Sequence, residues 1–278
     1  MNMSFLQSII MGVVSGFCEL LPISAEAHRS VLRTLMGISS EEPVFRLIIH
    51  VAVLAALFWC CRNEIKKLRK TKALLRIPKR RRKHQPDMPT VYTLRLLRTA
   101  FVLLLFGRIF TRNLDFVADQ LQILAFSLLG NGILLLIPSL VRNGNKDSRN
   151  MPRLDGILMG LGAGLSVIPG FSQLGATVSI GISRGVDRKF ALSFAYLLLI
   201  RGMIIHIIFD LLAIAAGSAV AFSAIGLASA AAGGIACFFG CIMGYRLMNS
   251  LSFSTNFSGF SYYCFGAGLF CFVLFLTI

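Results

Sequence analysis

Carboxylates are scarce in this chain: 12 Asp and Glu stand against 28 Lys and Arg, and all charged residues make up only 14% of its 278 positions. That is too little charge to cover an ordinary soluble domain, where the share is about 25%. Tryptophan occurs once, and the seven cysteines are an odd number without a recurring spacing, all inside or at the rims of apolar runs. Neither a disulfide framework nor a zinc site is implied. Cys237 and Cys241 have helical spacing, but no His or carboxylate stands near them in sequence, so they read as small packing residues.

Apolar residues are abundant. They form 56% of the chain, 23 of them phenylalanine, with a mean hydropathy of +0.75. This is the composition of a membrane protein. A net charge of +16 spread over a soluble surface would point to nucleic acid, but twelve of the cations fall in one stretch, Arg62 to Lys83, between two apolar runs. A membrane orientation signal accounts for them, and no nucleic-acid partner is expected.

A helix that crosses a bilayer needs about 20 mostly apolar residues. Runs of that kind lie at 44–61, 91–110, 121–141, 190–216, 218–248 and 258–278. Two further apolar segments, 4–37 and 154–183, are broken near their centres by Gly, Pro and Ser, which leaves each half too short to span. Irregular backbone at membrane depth is tolerated only where protein or a water-filled cavity covers it, so both segments are expected to be re-entrant hairpins that build a site. The first run, Phe5 to Leu21, lacks a basic start and is interrupted by Glu19 and Pro22, which argues against a cleaved signal peptide.

The two broken segments share a pattern. Met11-Gly12, Gly16 and Ser24 recur at the same offsets as Met159-Gly160, Gly164 and Ser172, and a proline precedes each serine (Pro22, Pro169). Either the chain contains an internal repeat or Gly-rich membrane sequence has produced a chance likeness. The repeat reading gives one membrane domain over 1–278, with a first half at 1–141 and a second at 154–278. Paired Gly/Pro breaks in corresponding halves are also the sequence pointer to a site at the repeat interface.

The basic loop 62–89 is expected to face the cytoplasm. The linker with Arg142, Lys146, Arg149 and Arg153 lies two spans further on and agrees. Residues 25–43 and 111–120 then lie outside. The run Lys79 to Lys83 serves as a topology anchor or as a contact for anionic lipid.

Ionisable residues at membrane depth are costly and point to function. Here they are Glu19, Glu26, His28, His50, Arg201, His206 and Asp210. Glu19 sits in the first break, followed by Ser24 and His28. This set either binds a metal-phosphate unit and moves protons, or satisfies the exposed backbone of the break. In the second break, Pro169 to Thr177 places small residues, hydroxyls and an amide at the start of a half-helix, where free N–H groups attract anions; close helix packing uses the same residues.

The stretch Gly16-Phe17-Cys18-Glu19-Leu20-Leu21-Pro22-Ile23-Ser24-Ala25-Glu26-Ala27-His28 resembles the first signature of the bacitracin-resistance type undecaprenyl-diphosphate phosphatase family. Pro169 to Thr177 resembles its second. Phe45 to Ala56, Gly156 to Ile168 and Phe190 to Leu198 are similar to the flanking family segments, so the likeness covers most of the chain. The resemblance implies an all-α integral membrane protein, a polytopic helical bundle with two inverted repeats, each with a re-entrant hairpin, in the bacterial inner membrane. It implies a hydrolase that removes the terminal phosphate of undecaprenyl diphosphate with a divalent cation (Mg or Ca) and so recycles the lipid carrier for peptidoglycan. Carried over, Glu19, Ser24 and His28 take the catalytic positions, Ser172, Gln173, Gly175 and Thr177 the phosphate positions, and Glu19 with Glu26 the metal.

This sequence departs from the signatures at chemical positions. Ser15 stands where a glutamate belongs, Ala25 where a second serine belongs, and Gln173-Leu174 where arginine and serine belong. Glu26 either replaces the missing carboxylate or is a passenger, and Arg201 either returns a positive charge to the cavity or snorkels. Two readings stay open: a divergent polyprenyl-diphosphate phosphatase, and a non-catalytic relative that binds or flips a polyprenyl phosphate. Gly226, Ala230, Gly233, Gly234, Gly240 and Gly244 permit tight helix contacts within the chain or across a homodimer.

Overall fold

The computed structural model describes residues 3–38, 42–81, 84–110, 120–142, 144–218, 224–252 and 257–277. All regular elements among them are helical: α1 (Phe5–Glu19), α2 (Ala25–Leu35), α3 (Pro43–Cys60), α4 (Arg62–Arg76), α5 (Met88–Phe110), α6 (Leu121–Leu140), α7 (Arg153–Gly164), α8 (Gln173–Ser183), α9 (Arg188–Ala213), α10 (Ala224–Ser252) and α11 (Ser258–Thr277). Among the described residues, six helices are long and apolar enough to cross a membrane: α3, α5, α6, α9, α10 and α11. Val102, Phe106, Phe126, Ile235, Leu269 and Leu276 are exposed on their outer faces. Water would not tolerate so much apolar surface; lipid does.

The expected run at 218–248 is displaced. Its helix is α10, and the preceding span continues from α9 through a π turn to Gly217, whose φ of 84° ends it. Apolar composition carries on through that turn, so hydropathy could not mark it. The basic loop also differs from expectation, because its first half is helix α4. Lys, Arg and Leu are good helix formers, and Ile65, Leu68 and Thr71 recur at helical spacing and pack inward. Arg82, Lys83 and residues 111–119 lie outside the described residues.

Both broken segments become pairs of short helices, α1 with α2 and α7 with α8. The second member of each pair is 11 residues long. Each begins at a serine N-cap: Ser24 Oγ accepts from Ala27 N at 3.3 Å, and Ser172 Oγ accepts from Gly175 N at 3.1 Å. Each also ends in the same glycine turn. Ile38 N donates to Arg33 O around Gly37 (φ 67°), and Val186 N donates to Gly181 O around Gly185 (φ 80°). The packing partners are exchanged in parallel: α1 lies on α10 and α7 on α5, while α3 also meets α10 and α9 also meets α5.

The α1–α10 contact is close enough to need glycine on both sides. A Cβ at Gly12 would stand 2.0 Å from Gly233 O, and one at Gly240 would stand 2.6 Å from Val13 O. Three of the small residues on α10, Gly233, Gly240 and Gly244, are therefore used within the chain.

Candidate active site

Pro22 prevents α1 from running on, because the residue before a proline is pushed out of helical geometry. The chain turns through Leu20 to Ile23 and restarts at Ser24. In the second half α7 ends at Gly164, a 3₁₀ turn covers Leu165–Val167, and Pro169-Gly170 completes the reversal. Gly170 has φ 107°, and a Cβ there would lie 2.3 Å from Ser127 Cβ, so glycine is required twice over.

The two breaks touch. A Cβ at Gly175 would be 2.9 Å from Pro22 O, and Ser172 Oγ donates to Leu21 O at 3.3 Å. Asn131 of α6, fully buried, clasps both: its Nδ2 donates to Pro22 O at 3.1 Å and its Oδ1 accepts from Ser172 N at 3.1 Å. Tyr196 of α9 donates to Leu20 O at 3.2 Å. The carbonyls and N–H groups released by the breaks are thus met by side chains of neighbouring spans.

A cavity of about 360 Å³ opens beside this junction. Its wall includes Glu19, Ser24, Ala25 and Glu26 from the first break and Pro169, Ser172 and Gln173 from the second. The N-terminal residues of α2 and α8 both reach it, so two positive helix ends face one space. Gln173 is 7% exposed and its Nε2 has no hydrogen-bond partner among the described residues; the amide lies against Gly202, where a Cβ would be 2.6 Å from its Oε1.

Helices α3 and α9 supply the remaining polar wall. Asp210, 3% exposed, accepts from Arg46 Nε at 2.8 Å and from His50 Nδ1 at 2.6 Å. The ring of His206 packs on His50 with centroids 4.9 Å apart. Arg29 lines the same cavity and is ion-paired with Glu26. Two guanidinium groups, three carboxylates and two imidazoles therefore share a small space with three serines, Ser24, Ser166 and Ser172. A doubly charged phosphate ester fits that chemistry: guanidinium and N-terminal N–H groups neutralise oxygens, and hydroxyls orient them.

Not every expected residue joins. His28 lies on another face of α2, where Nδ1 donates to Ser24 O at 2.6 Å and Nε2 stands 2.7 Å from Tyr263 Oη, stacked ring on ring. It borders a separate, largely apolar cavity with Val31, Leu35 and Phe270. Thr177 is fully buried and donates to Gln173 O at 2.8 Å, and Gly175 packs on Pro22; neither lines the polar cavity. Ser15 bonds back to Met11 O at 2.6 Å, inside its own helix. Arg201 donates to Leu97 O at 2.5 Å and lies over Phe101, so it brings no charge to the site.

Three contributors were not singled out from the sequence. Asn131 had a signal, as an amide inside an apolar span. Arg29 and Arg46 had a weaker one, as cations beside the first signature and at the start of α3, where snorkelling is the ordinary explanation.

Known proteins are similar in sequence to most of the chain. The profile of the family described as bacitracin resistance protein BacA matches residues 8–270, which include both breaks, Arg46, His50 and Asp210. The chain belongs to this family. Among BacA-family relatives, an undecaprenyl-diphosphatase of Thermosipho melanesiensis is 28% identical over 266 residues, covering 96% of this chain and 98% of that protein. Undecaprenyl-diphosphatase 1 of Shouchella clausii is 28% identical over 279 residues, covering 98% and 96%. An undecaprenyl-diphosphatase of Methanobrevibacter smithii is 30% identical over 205 residues, covering 70% and 72%. The BacA membership and the six apolar spans make this a multi-pass membrane protein.

Proposed function

We propose that this BacA-family protein hydrolyses undecaprenyl diphosphate to the monophosphate, returning a lipid carrier to cell-wall synthesis. One observation carries the reading: both serine-capped breaks open on a single cavity that also holds Glu19, Arg29 and Arg46. The absence of the signature arginine at Gln173 is offset chemically, because Arg46 from α3 and Arg29 from α2 bring guanidinium groups to the same space.

The matching caps, glycine turns and exchanged partners of the two helix pairs support two inverted repeats with re-entrant hairpins, the arrangement that puts a binding site between halves. The basic helix α4 and its continuation support a cytoplasmic face there, which turns the opposite end of α3 and the cavity side of α2 outward.

In this reading Ser24, Ser172 and the N-terminal turns of α2 and α8 hold the phosphate oxygens. Arg29 and Arg46 balance their charge, and Gln173 Nε2 donates to one of them. Among the described residues no three His, Cys, Asp or Glu groups surround one point as a ready metal cage. Glu19 and Glu26 are hard oxygen donors of the kind that hold a divalent cation jointly with substrate phosphates. Such an ion, when bound, neutralises phosphate charge.

Phosphate release from undecaprenyl diphosphate by the purified protein, with and without divalent cation, tests the proposal. Turnover above a Glu19→Gln control supports it. The substitutions at Ser15, Ala25 and Gln173 favour one rival, a lipid-phosphate binder or flippase. Tight binding of polyprenyl phosphate without any release would establish that rival instead.

A further inference from the structure

Beyond the two breaks, the cavity contains a side-chain arrangement from α3 and α9 that the phosphate-holding groups do not account for. Asp210 accepts the Nδ1 proton of His50 at 2.6 Å, and both side chains are only 5% exposed. A carboxylate cannot donate, so Nδ1 carries the proton, and in the neutral form of the ring Nε2 is the atom that presents a lone pair. His50 lines the cavity, and its Nε2 has no hydrogen bond among the described residues. Arg46 holds the other oxygen of Asp210 at 2.8 Å, so the carboxylate is fixed from two directions and the ring from one. A carboxylate that fixes the tautomer of an imidazole facing a reaction space is the arrangement of a general base and its orienting partner.

We propose that His50, oriented by Asp210, is the base that takes the proton from the attacking water during phosphoanhydride hydrolysis. The proposal rests on the phosphatase reading above. As the water oxygen bonds to the terminal phosphorus, its proton passes to His50 Nε2. The bond from that phosphorus to the bridging oxygen breaks, and the bridging oxygen keeps the electron pair as part of the lipid monophosphate. Inorganic phosphate leaves, and His50 gives its proton to solvent.

His28 cannot take this part from where it stands. Both of its ring nitrogens are engaged, with Ser24 O and Tyr263 Oη, and it lines the other cavity. The titratable and charged groups that share the cavity with His50 are Asp210 and His206 of α9, Arg46 of its own helix, Glu19 of α1, and Glu26 and Arg29 of α2. The carboxylate of Asp210 fixes Nδ1 of His50 at 2.6 Å.

The test uses the full chain in detergent with undecaprenyl diphosphate as substrate and undecaprenyl monophosphate as a binding probe. His50→Gln should lower kcat by about 10² to 10⁴, the usual contribution of general-base catalysis, with KM and monophosphate binding within about threefold of wild type. His50→Ala should regain at least about tenfold of its lost rate on addition of imidazole, which a purely structural role would not allow. A His50→Gln enzyme with kcat within about threefold of wild type overturns the assignment. If His50→Gln no longer holds the monophosphate, Asp210→Asn decides: a loss of kcat with binding intact supports the dyad, and unchanged kcat refutes it. A wild-type protein that releases no phosphate removes the phosphatase reading and this role together, an outcome distinct from an active wild type with an indifferent His50.

Discussion

Replacing Asn131 by leucine removes, in one step, the amide that ties the two breaks together. The change keeps the volume of α6 but strips three contacts: Nδ2 to Pro22 O at 3.1 Å, Nδ2 to Cys264 Sγ at 3.3 Å, and Oδ1 from Ser172 N at 3.1 Å. Two backbone groups, Pro22 O and Ser172 N, then lose a partner where water does not reach. Each buried polar group left unmet costs about 1–3 kcal/mol in soluble proteins, whereas interhelical hydrogen bonds in membranes average about 0.6 kcal/mol. The pair of losses thus spans about 1 to 6 kcal/mol, with about 2–3 kcal/mol the central expectation. Function should suffer more than stability. Ser24 and Ser172 lie two and zero residues from the released groups, and a misplacement of about 1 Å at a reacting centre can cost about 10² in rate. Phosphate release at saturating undecaprenyl diphosphate should fall about a hundredfold per folded molecule. Folded fraction can be followed by heat-dependent reaction of the buried thiols Cys18, Cys237 and Cys264. Ser261→Ala is the matched control: it breaks the bond from Ser261 of α11 to Gly132 O of α6, next to Asn131, without touching either break, so it should lower thermal stability and leave kcat unchanged. An Asn131→Leu protein with wild-type kcat would refute the idea that this amide sets the register of the two breaks.

Four further outcomes follow from the same geometry. Gln173→Arg with Ala25→Ser should raise hydrolysis at least about tenfold, a conservative share of the 10² to 10³ attached to one preorganised donor; no gain in initial rate would mean that Arg29 and Arg46 already fill that role. Gly202→Ala should displace the Gln173 amide, since the new Cβ would lie 2.6 Å from its Oε1, and should raise KM for the diphosphate in steady-state assays. Gly12→Leu should abolish folded yield in detergent chromatography, because a Cβ there would meet Gly233 O at 2.0 Å, backbone against backbone. A cysteine placed at Gln85, in a background whose native thiols are silent, should resist an impermeant thiol reagent in intact cells; ready labelling would invert the membrane orientation.

The breaks themselves were legible because their causes are local. Pro22 and Pro169 disfavour helical geometry at the residues just before them, and Ser24 and Ser172 cap the next helices by bonding three residues ahead. The basic stretch was visible as charge but not as helix α4, since its inward residues Ile65, Leu68 and Thr71 are few against so many cations. His28 was expected in the cavity with Glu19 and Ser24 because it stands at the histidine position of the first signature. An N-cap residue is not helical, however, so the Ser24 side chain turns back onto Ala27 N while His28, a full turn on, faces Tyr263.

Composition and local backbone chemistry, properties of a few neighbouring residues at a time, determined that this chain is a membrane protein, that two of its apolar segments are broken into short helices, and where each restarts. What lies opposite each restart was decided only in three dimensions. Asn131 is 109 residues from Pro22 and 41 from Ser172, and Asp210 is 160 from His50, yet each pair is hydrogen bonded. Such meetings depend on which faces of long apolar helices turn inward. In a lipid solvent hydropathy is nearly uniform around those helices, so their periodicity carries little record of it, and the inward face is chosen by close packing at glycines and by satisfaction of buried polar groups.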